Sequence, residues 1–441
     1  MNGPVDGPVG GTVDGPVDGP VDGPVNDPPQ DRIPPPAFLA EAAPAAVLAA
    51  LPGARAVGGC VRDALAGRPV HDVDVAAPLP PDSIAERLRA AGLKVFETGL
   101  AHGTVTAVLR RQPVEVTALR RDLVTDGRHA EVAWTTDWRE DASRRDFSFN
   151  AMSMDAEGNL WDYFDGRADL AAGRVRFVGD AATRLAEDYL RALRFFRFWA
   201  RYGQGAPDPA ALAAIADAVP GFRARIAPER IWMELKRLLP APDPSGSLAL
   251  MAACGLLDAV LPEGTVPERL RRMIPLGLPA DPLLRLAVLL AEDAESGALA
   301  TRLRLSGEER ARLALLHRPP DPPTPASAAG FPLRAWRARL HAATHQVAPA
   351  EPLWVAQARQ WGQDGGADGW DALRQLVTPG DAEPEFPLLG RDLMALGLPA
   401  GPGLGSLLGT LRAWWLAGDC QADRDALLAE AARRLGKSGG A

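Results

Sequence analysis

Two aspartates separated by one residue, Asp72 and Asp74, stand in the run VHDVDVA at residues 70–76. Alternation with Val73 and Val75 predicts a strand, in which residues i and i+2 share a face. The two carboxylates then project side by side while the valines turn into a core. Like charges this close are unfavourable unless a cation lies with them. Mg²⁺ suits such a pair, because it is held by one or two carboxylates together with substrate phosphates. An isolated Asp-x-Asp is more often a solvated strand face. Its upstream neighbour, GGCVRDALAG (58–67), shifts that balance. Gly58 and Gly59 close the strand-like run ARAVGG and precede a helix-like one. Such a turn lets backbone N–H groups approach a phosphate, and the helix N-terminus adds a favourable dipole. Arg62, one turn along, can reach the same anion. A glycine turn facing a carboxylate strand is a layout for triphosphate chemistry.

Two further constellations carry charge in ordered patterns. RRDFSFNA (144–151) offers Arg144 and Arg145 as fork-shaped phosphate donors, with Phe147 and Phe149 expected to pack inward. On its own it reads as a charged helix start with a core anchor. RLAEDYLRALRFFRFWAR (184–201) sets Asp188 and Arg191 three apart, which on a helix is one face. A surface ion pair is the common meaning of that spacing. Arg194 and Arg197 continue the stripe, which is more charge than solubility requires. A carboxylate beside a guanidinium can imitate a base edge, the acid accepting from an exocyclic amine and the arginine donating to ring acceptors.

The elements that must position these groups fall into distinct regions. Residues 1–37, with their repeated Val-Asp-Gly-Pro unit, read as a disordered tail. Residues 38–165 alternate strand-like and helical runs. Among them are GTVTAVLR and PVEVTALR as a strand pair around Arg111-Gln112, and the helix SIAERLRAAG ending at a glycine cap. Strand signals then cease. Ala, Leu and Arg at helical spacing dominate 166–240 and 241–441, interrupted by Pro-rich joints at 240–244, 318–325 and 379–387. The fold class expected is α+β, a mixed-sheet head followed by helices. No apolar run is long enough to span a membrane. Three scattered cysteines fit a reducing cytoplasm. The net charge of −8 is misleading about partners, since the first 31 residues carry six aspartates and no Lys or Arg. Phosphate binding depends on local fields, and the arginines cluster locally.

Taken in order, GGCVRDALAG…DVDVA, RRDFSFNA, WDYFDGRADL (161–170), EDYLRALRFFRF (187–198) and RIAPERIWMELKRLL (225–239) resemble the five motifs of bacterial-type (class II) tRNA nucleotidyltransferases and the related bacterial poly(A) polymerases. GRDLMALGLPAGPGLG (390–405) resembles a C-terminal segment of the same family. The resemblance implies a polymerase β-like nucleotidyltransferase head at 38–165, a helical neck at 166–240 and a helical, tRNA-binding body and tail at 241–441. It implies that Asp72 and Asp74 bind metal and that Glu115, in VEVTALR, is a third catalytic carboxylate. Gly59, Arg62 and Arg145 match nucleotide-phosphate and ribose contacts. Asp188 and Arg191 match the pair that selects the base, and Arg194 and Arg197 match further triphosphate contacts.

The activity implied is addition of nucleotides from CTP and ATP to the 3′ end of tRNA by Mg²⁺-dependent, in-line transfer. The stretch RDLVTDGRHAEVAWTTDWREDAS (121–143) resembles the flexible loop of CCA-adding enzymes. The basic Gly-Arg-Arg-Phe-type signature of the poly(A) polymerases is missing from this region. CCA addition is therefore favoured over polyadenylation, with CC-only or A-only addition as further alternatives. Ser148 replaces the usual Thr of the second motif and keeps its hydroxyl. A non-catalytic RNA-binding protein on this scaffold would need a decayed metal site, and both aspartates are intact.

Overall fold

The structure, a computed structural model, describes residues 27–99, 103–125, 130–344, 346–361, 369–377 and 384–436. The chain divides into two compact units, with the boundary between Ala171 and Ala172. The expected mixed-sheet head followed by helices is what it has.

The first unit is built on a mixed sheet. Its strands are β1 (Asp31–Arg32), β2 (Arg55–Val57), β3 (Asp74–Ala77), β4 (Lys94–Gly99), β5 (Thr104–Leu109), β6 (Gln112–Ala118), β9 (Ser153–Met154) and β10 (Asn159–Trp161). They lie in the order β1-β10-β9-β2-β3-β6-β5-β4, and β7 (Arg120–Thr125) pairs with β8 (Ala130–Trp134) in a separate ribbon. β3 and β6 are parallel, whereas their neighbours pair antiparallel. Helices α1 (Ala42–Ala50), α2 (Gly59–Leu65), α3 (Pro81–Ala90), α4 (Trp138–Ser143) and α5 (Gly166–Ala171) accompany it. α3 buries Ile84, Ala85 and Leu88, starts on a proline and gives way at Gly92, whose φ is +81°. That is the glycine-terminated helix the spacing predicts. Val57, Ala76, Leu119 and Trp138 form a buried cluster that includes residues of β2 and β3.

Three local readings need correction. The β5–β6 turn is centred on Arg110 and Arg111, both at positive φ (51° and 68°), one residue earlier than expected. β3 begins at Asp74, so Asp72 precedes the hydrogen-bonded ladder. The tail expected at 1–37 is ordered in part. Residues 1–26 lie outside the described residues, but Asp31 and Arg32 pair with Leu160 and Asn159, and Trp161 Nε1 donates to the Asp27 carbonyl at 2.8 Å.

Among the described residues of the second unit the named elements are all helices, and Thr265 and Leu290 form an isolated bridge. α6 (Ala181–Glu187), α7 (Leu190–Tyr202), α8 (Pro209–Arg225) and α9 (Pro228–Leu238) come first, and further helices run to Arg434. α7 buries Leu190, Leu193, Phe195, Phe196 and Phe198 and leaves its arginines on the opposite flank. Gly221 of α8 lies so close to Tyr189 that a methyl group there would sit 2.2 Å from the phenol ring. This contact fixes α8 against the α6–α7 joint. No helix among the described residues is long and apolar enough to cross a membrane.

Candidate active site

The parallel pairing of β3 and β6 sets Asp74 directly opposite Glu115. Both are exposed while their neighbours Val75, Val114 and Val116 are buried, so the pleat turns the acids outward together. Asp72 keeps the same alternation, exposed beside buried Val73, although it stands just outside the ladder. Burial of the Asp74 carboxyl and the nearby charges of Glu115 and Asp72 push its pKa up, against a smaller pull from Arg145. The three acids therefore form one negative field. Among the described residues none of them makes a side-chain hydrogen bond or ion pair, and no three His, Cys, Asp or Glu side chains close up into a metal cage. An ion that brings phosphate and water oxygens with it is the kind this open donor set can hold.

The glycine turn comes close to this field. Gly58 has φ +70° and ψ −120°, a conformation that strains any residue with a Cβ. A Cβ at Gly58 would also lie 3.2 Å from Nη1 of Arg145. The turn and the guanidinium are thus in contact, and the same Arg145 is felt at Asp74. α2 is only seven residues long. Arg62 is buried and tied down: Nε and Nη2 donate to Asp63 at 3.1 and 3.0 Å, and Nη1 donates to Asn150 Oδ1 at 2.6 Å. Asn150 in turn donates to Asp146, which also accepts from the Phe147 N–H. The short helical turn 148–150 is anchored by Phe147 and Phe149, both fully buried as expected. This chain of bonds links the glycine turn to RRDFSFNA.

Arg144, expected as a phosphate donor, is bonded within the protein. Its Nε and Nη2 bind Asp141, at 3.0 and 2.6 Å, and Nε also donates to the Arg120 carbonyl. Arg145 Nη2 donates to the other oxygen of Asp141 at 3.1 Å. Asp141 is buried, and burial pushes its pKa up. The Arg145 and Arg144 charges outweigh that, and the carboxyl titrates below its ordinary value.

In the second unit, Asp188 and Arg191 do not stand on one helix face. Asp188 is extended (φ −152°) at the end of α6, and α7 starts two residues later. Its oxygens accept a two-pronged grip from Arg230, at 3.2 and 2.7 Å. Arg191 Nη1 donates to Glu187 at 2.5 Å and to the Arg184 carbonyl at 3.1 Å. Arg194 and Arg197 both approach Glu234 of α9, at 3.8 and 3.3 Å, and Arg237 joins from α9 itself. Glu234 is 3% exposed. Sequence reasoning overlooked Asp141, Asn150, Arg230 and Glu234. A signal existed for two of them, since Arg230 and Glu234 lie four apart in RIAPERIWMELKRLL.

Comparison with known proteins follows the same division. Residues 54–176 match the Poly A polymerase head domain family, and residues 206–266 match the probable RNA and SrmB-binding site of polymerase A. The mitochondrial CCA tRNA nucleotidyltransferase 1 of Mus musculus is 35% identical over 389 residues, covering 85% of each chain. A CCA-adding enzyme of Leuconostoc citreum is 38% identical over 203 residues, 46% of this chain and 49% of that one. The crystal structure of the Bacillus stearothermophilus CCA-adding enzyme in complex with CTP aligns with a TM-score of 0.65 at 27% identity, over 87% of this chain and 93% of that one.

Proposed function

The chain belongs to the CCA tRNA nucleotidyltransferase family, and from that premise we propose that it adds C, C and A to the 3′ end of tRNA, consuming CTP and ATP and releasing pyrophosphate. The observation that carries this reading is the β3–β6 register, which sets Asp74 against Glu115 with Asp72 two residues upstream. The curated relatives, named for CCA addition, favour this branch over polyadenylation.

Asp72 and Asp74 would hold Mg²⁺, with Glu115 as the third acid. When bound, the metal lowers the pKa of the RNA 3′-hydroxyl and neutralises charge on the departing pyrophosphate. Arg145, Arg62 and the backbone at Gly58 and Gly59 take the triphosphate. Arg62 and Arg145 are held by Asn150 and Asp141, so they present fixed forks to that anion. Asp188 accepts from the exocyclic amine of cytosine or adenine. Its Oδ1 accepts from both Arg230 and the Leu190 N–H, whereas Oδ2 accepts from Arg230 alone and keeps a lone pair for the base. Uracil and guanine put a carbonyl at that place, and the carboxylate repels it. Arg191 donates to the ring acceptors from a position pinned by Glu187 and the Arg184 carbonyl. Glu234 holds Arg194 and Arg197 side by side for further phosphate contact. The reading keeps the cytoplasm as the compartment, in which the three free cysteines stay reduced.

Incubation with a tRNA lacking its 3′ CCA tests the proposal. CTP alone should extend it by two residues, ATP alone by none, and both together by three. A long A tail would replace this reading with polyadenylation, and no extension under any condition would remove the enzyme reading.

A further inference from the structure

Strands β6, β5 and β4 have one covered face and one open face. Helices α1 and α3 pack against these strands, and Val105, Ala107, Val114 and Val116 are buried. Arg89 of α3 pairs with Glu97 of β4, which puts Glu97 on the helix side. Successive residues of a strand point to opposite faces, so Phe96 points to the open side. The register agrees. Asp74 lies opposite Glu115, Glu115 opposite Thr106, and Thr106 opposite Phe96. Directly opposed residues share a face. One row therefore runs across the open face from the acids, through Thr106, to Phe96 at the sheet edge.

Phe96 is 41% exposed. Lys94, also exposed and two residues back on the same face, sets its Nζ 4.8 Å from the centre of the Phe96 ring. Charges protect an edge strand from pairing with another chain, and Lys94 and Glu97 already supply them. An open aromatic ring adds nothing to that protection. It does suit a nucleobase, whose flat face stacks on an aromatic side chain whatever the base. A lysine beside the ring suits the phosphate of the same nucleotide.

The strand order says which substrate this surface faces. β3 lies between β2 and β6. The Gly58 turn, with Arg145 against it, follows β2 and so lies on one side of the acids. Phe96 lies on the other side. In-line transfer needs the attacking hydroxyl opposite the departing pyrophosphate. With the triphosphate on the β2 side, the RNA acceptor approaches over β6, β5 and β4. Two strand spacings of about 4.8 Å separate Phe96 from Glu115. That is too far for the base of the nucleotide whose hydroxyl sits at the acids, and within reach of the base before it.

We infer that Phe96 is the stacking platform for the last-but-one base of the RNA acceptor, with Lys94 beside it for that nucleotide's phosphate. The inference rests on the proposed activity for the identity of the acceptor.

The fluorescence of 2-aminopurine, which stacking quenches, tests it without any catalytic step. The probe is an RNA hairpin that copies a tRNA acceptor stem and ends in 2-aminopurine followed by cytidine, where the first two added residues belong. Full-length protein without nucleotides should quench the probe. Phe96→Ala should abolish the quench and weaken binding roughly 5- to 20-fold, and Phe96→Trp should restore both. Lys94→Gln should reduce the slope of log affinity against log salt by about 0.7. In steady-state assays Phe96→Ala should raise KM for the RNA and leave KM for CTP within about twofold. The ring is exposed, so Tm should hold. Equal quenching in the parent and Phe96→Ala overturns the inference, as does an unquenched probe that the parent binds and extends. Both results leave the proposed activity standing. A parent that neither binds nor extends the probe removes the activity reading and this inference with it.

Discussion

The two units treat their acidic groups in opposite ways. In the first, Asp72, Asp74 and Glu115 are crowded together and left without side-chain partners. In the second, Asp188 is clamped by Arg230, Glu187 by Arg191, and Glu234 lies among three arginines. The difference matches the work each set is proposed to do. Unpaired acids keep a negative field that only an incoming cation relieves. Paired groups hold fixed positions, and discrimination between similar ligands needs fixed positions more than raw charge.

Removing the unpaired acids is the hardest test of this contrast. Asp72→Ala/Asp74→Ala should lower nucleotide incorporation by at least about 10³-fold. Tm should hold or rise, because like-charge repulsion goes with them. A double variant that unfolds would mean that the acids support structure, and the contrast would collapse.

Asp188→Ala tests the paired side. Loss of the acceptor should cost on the order of 2–4 kcal/mol of preference for CTP and ATP over UTP and GTP. Measuring kcat/KM for all four nucleotides reads it directly. The half-buried ion pair to Arg230 contributes on the order of 1 kcal/mol to stability, so Tm should move only by a few degrees. An unchanged CTP-to-UTP ratio would strip this residue of any part in base choice.

Asp141 sharpens the comparison from within the first unit, where it is a buried acid bonded by two arginines. Its folded pKa is depressed, so its stabilising contribution is present above the ordinary carboxylate value of about 3.9 and lost as pH falls through the folded value. Asp141→Asn should lower stability at neutral pH by about 2 kcal/mol and flatten the acid limb of the stability profile. Denaturant titrations at pH 7 and pH 3 would show it. Equal acid sensitivity in parent and variant would refute this account of Asp141.

Much of the site was legible because its parts are local. Gly58-Gly59, Arg62 and the aspartate pair lie within seventeen residues, and period-two alternation marks the acidic face even where the ladder begins late. What escaped was non-local. The partner of Asp188 lies 42 residues away, and that of Arg62, Asn150, 88 residues away. No spacing rule reaches that far. Arg144 and Arg145 look equivalent in sequence, and the buried Asp141 binds both. What separates them is that Arg144 also grips the Arg120 carbonyl, whereas Arg145 lies against the Gly58 turn. The short strands β9 and β10 carry too few residues for a periodic signal, and β1 sits beside a proline-rich tail whose composition argues for disorder. The stretch 121–143, likened to the flexible loop of CCA-adding enzymes, falls partly on residues 126–129, which lie outside the described residues.

The parallel pairing of β3 and β6 has a consequence for how the protein is made. Parallel neighbours cannot be joined by a tight turn, and here the whole of α3, β4 and β5 intervenes. As the chain emerges from the ribosome, Asp72 and Asp74 are ordinary hydrated acids until residue 118 has followed them. The hairpin of β5 and β6 can close early because its contacts are local. Seating it beside β3 requires closing a loop of some forty residues, an entropic cost that grows only slowly with length. Glu115 therefore meets the two aspartates only when the hairpin is seated, and the negative field of the three acids is completed by that long-range pairing.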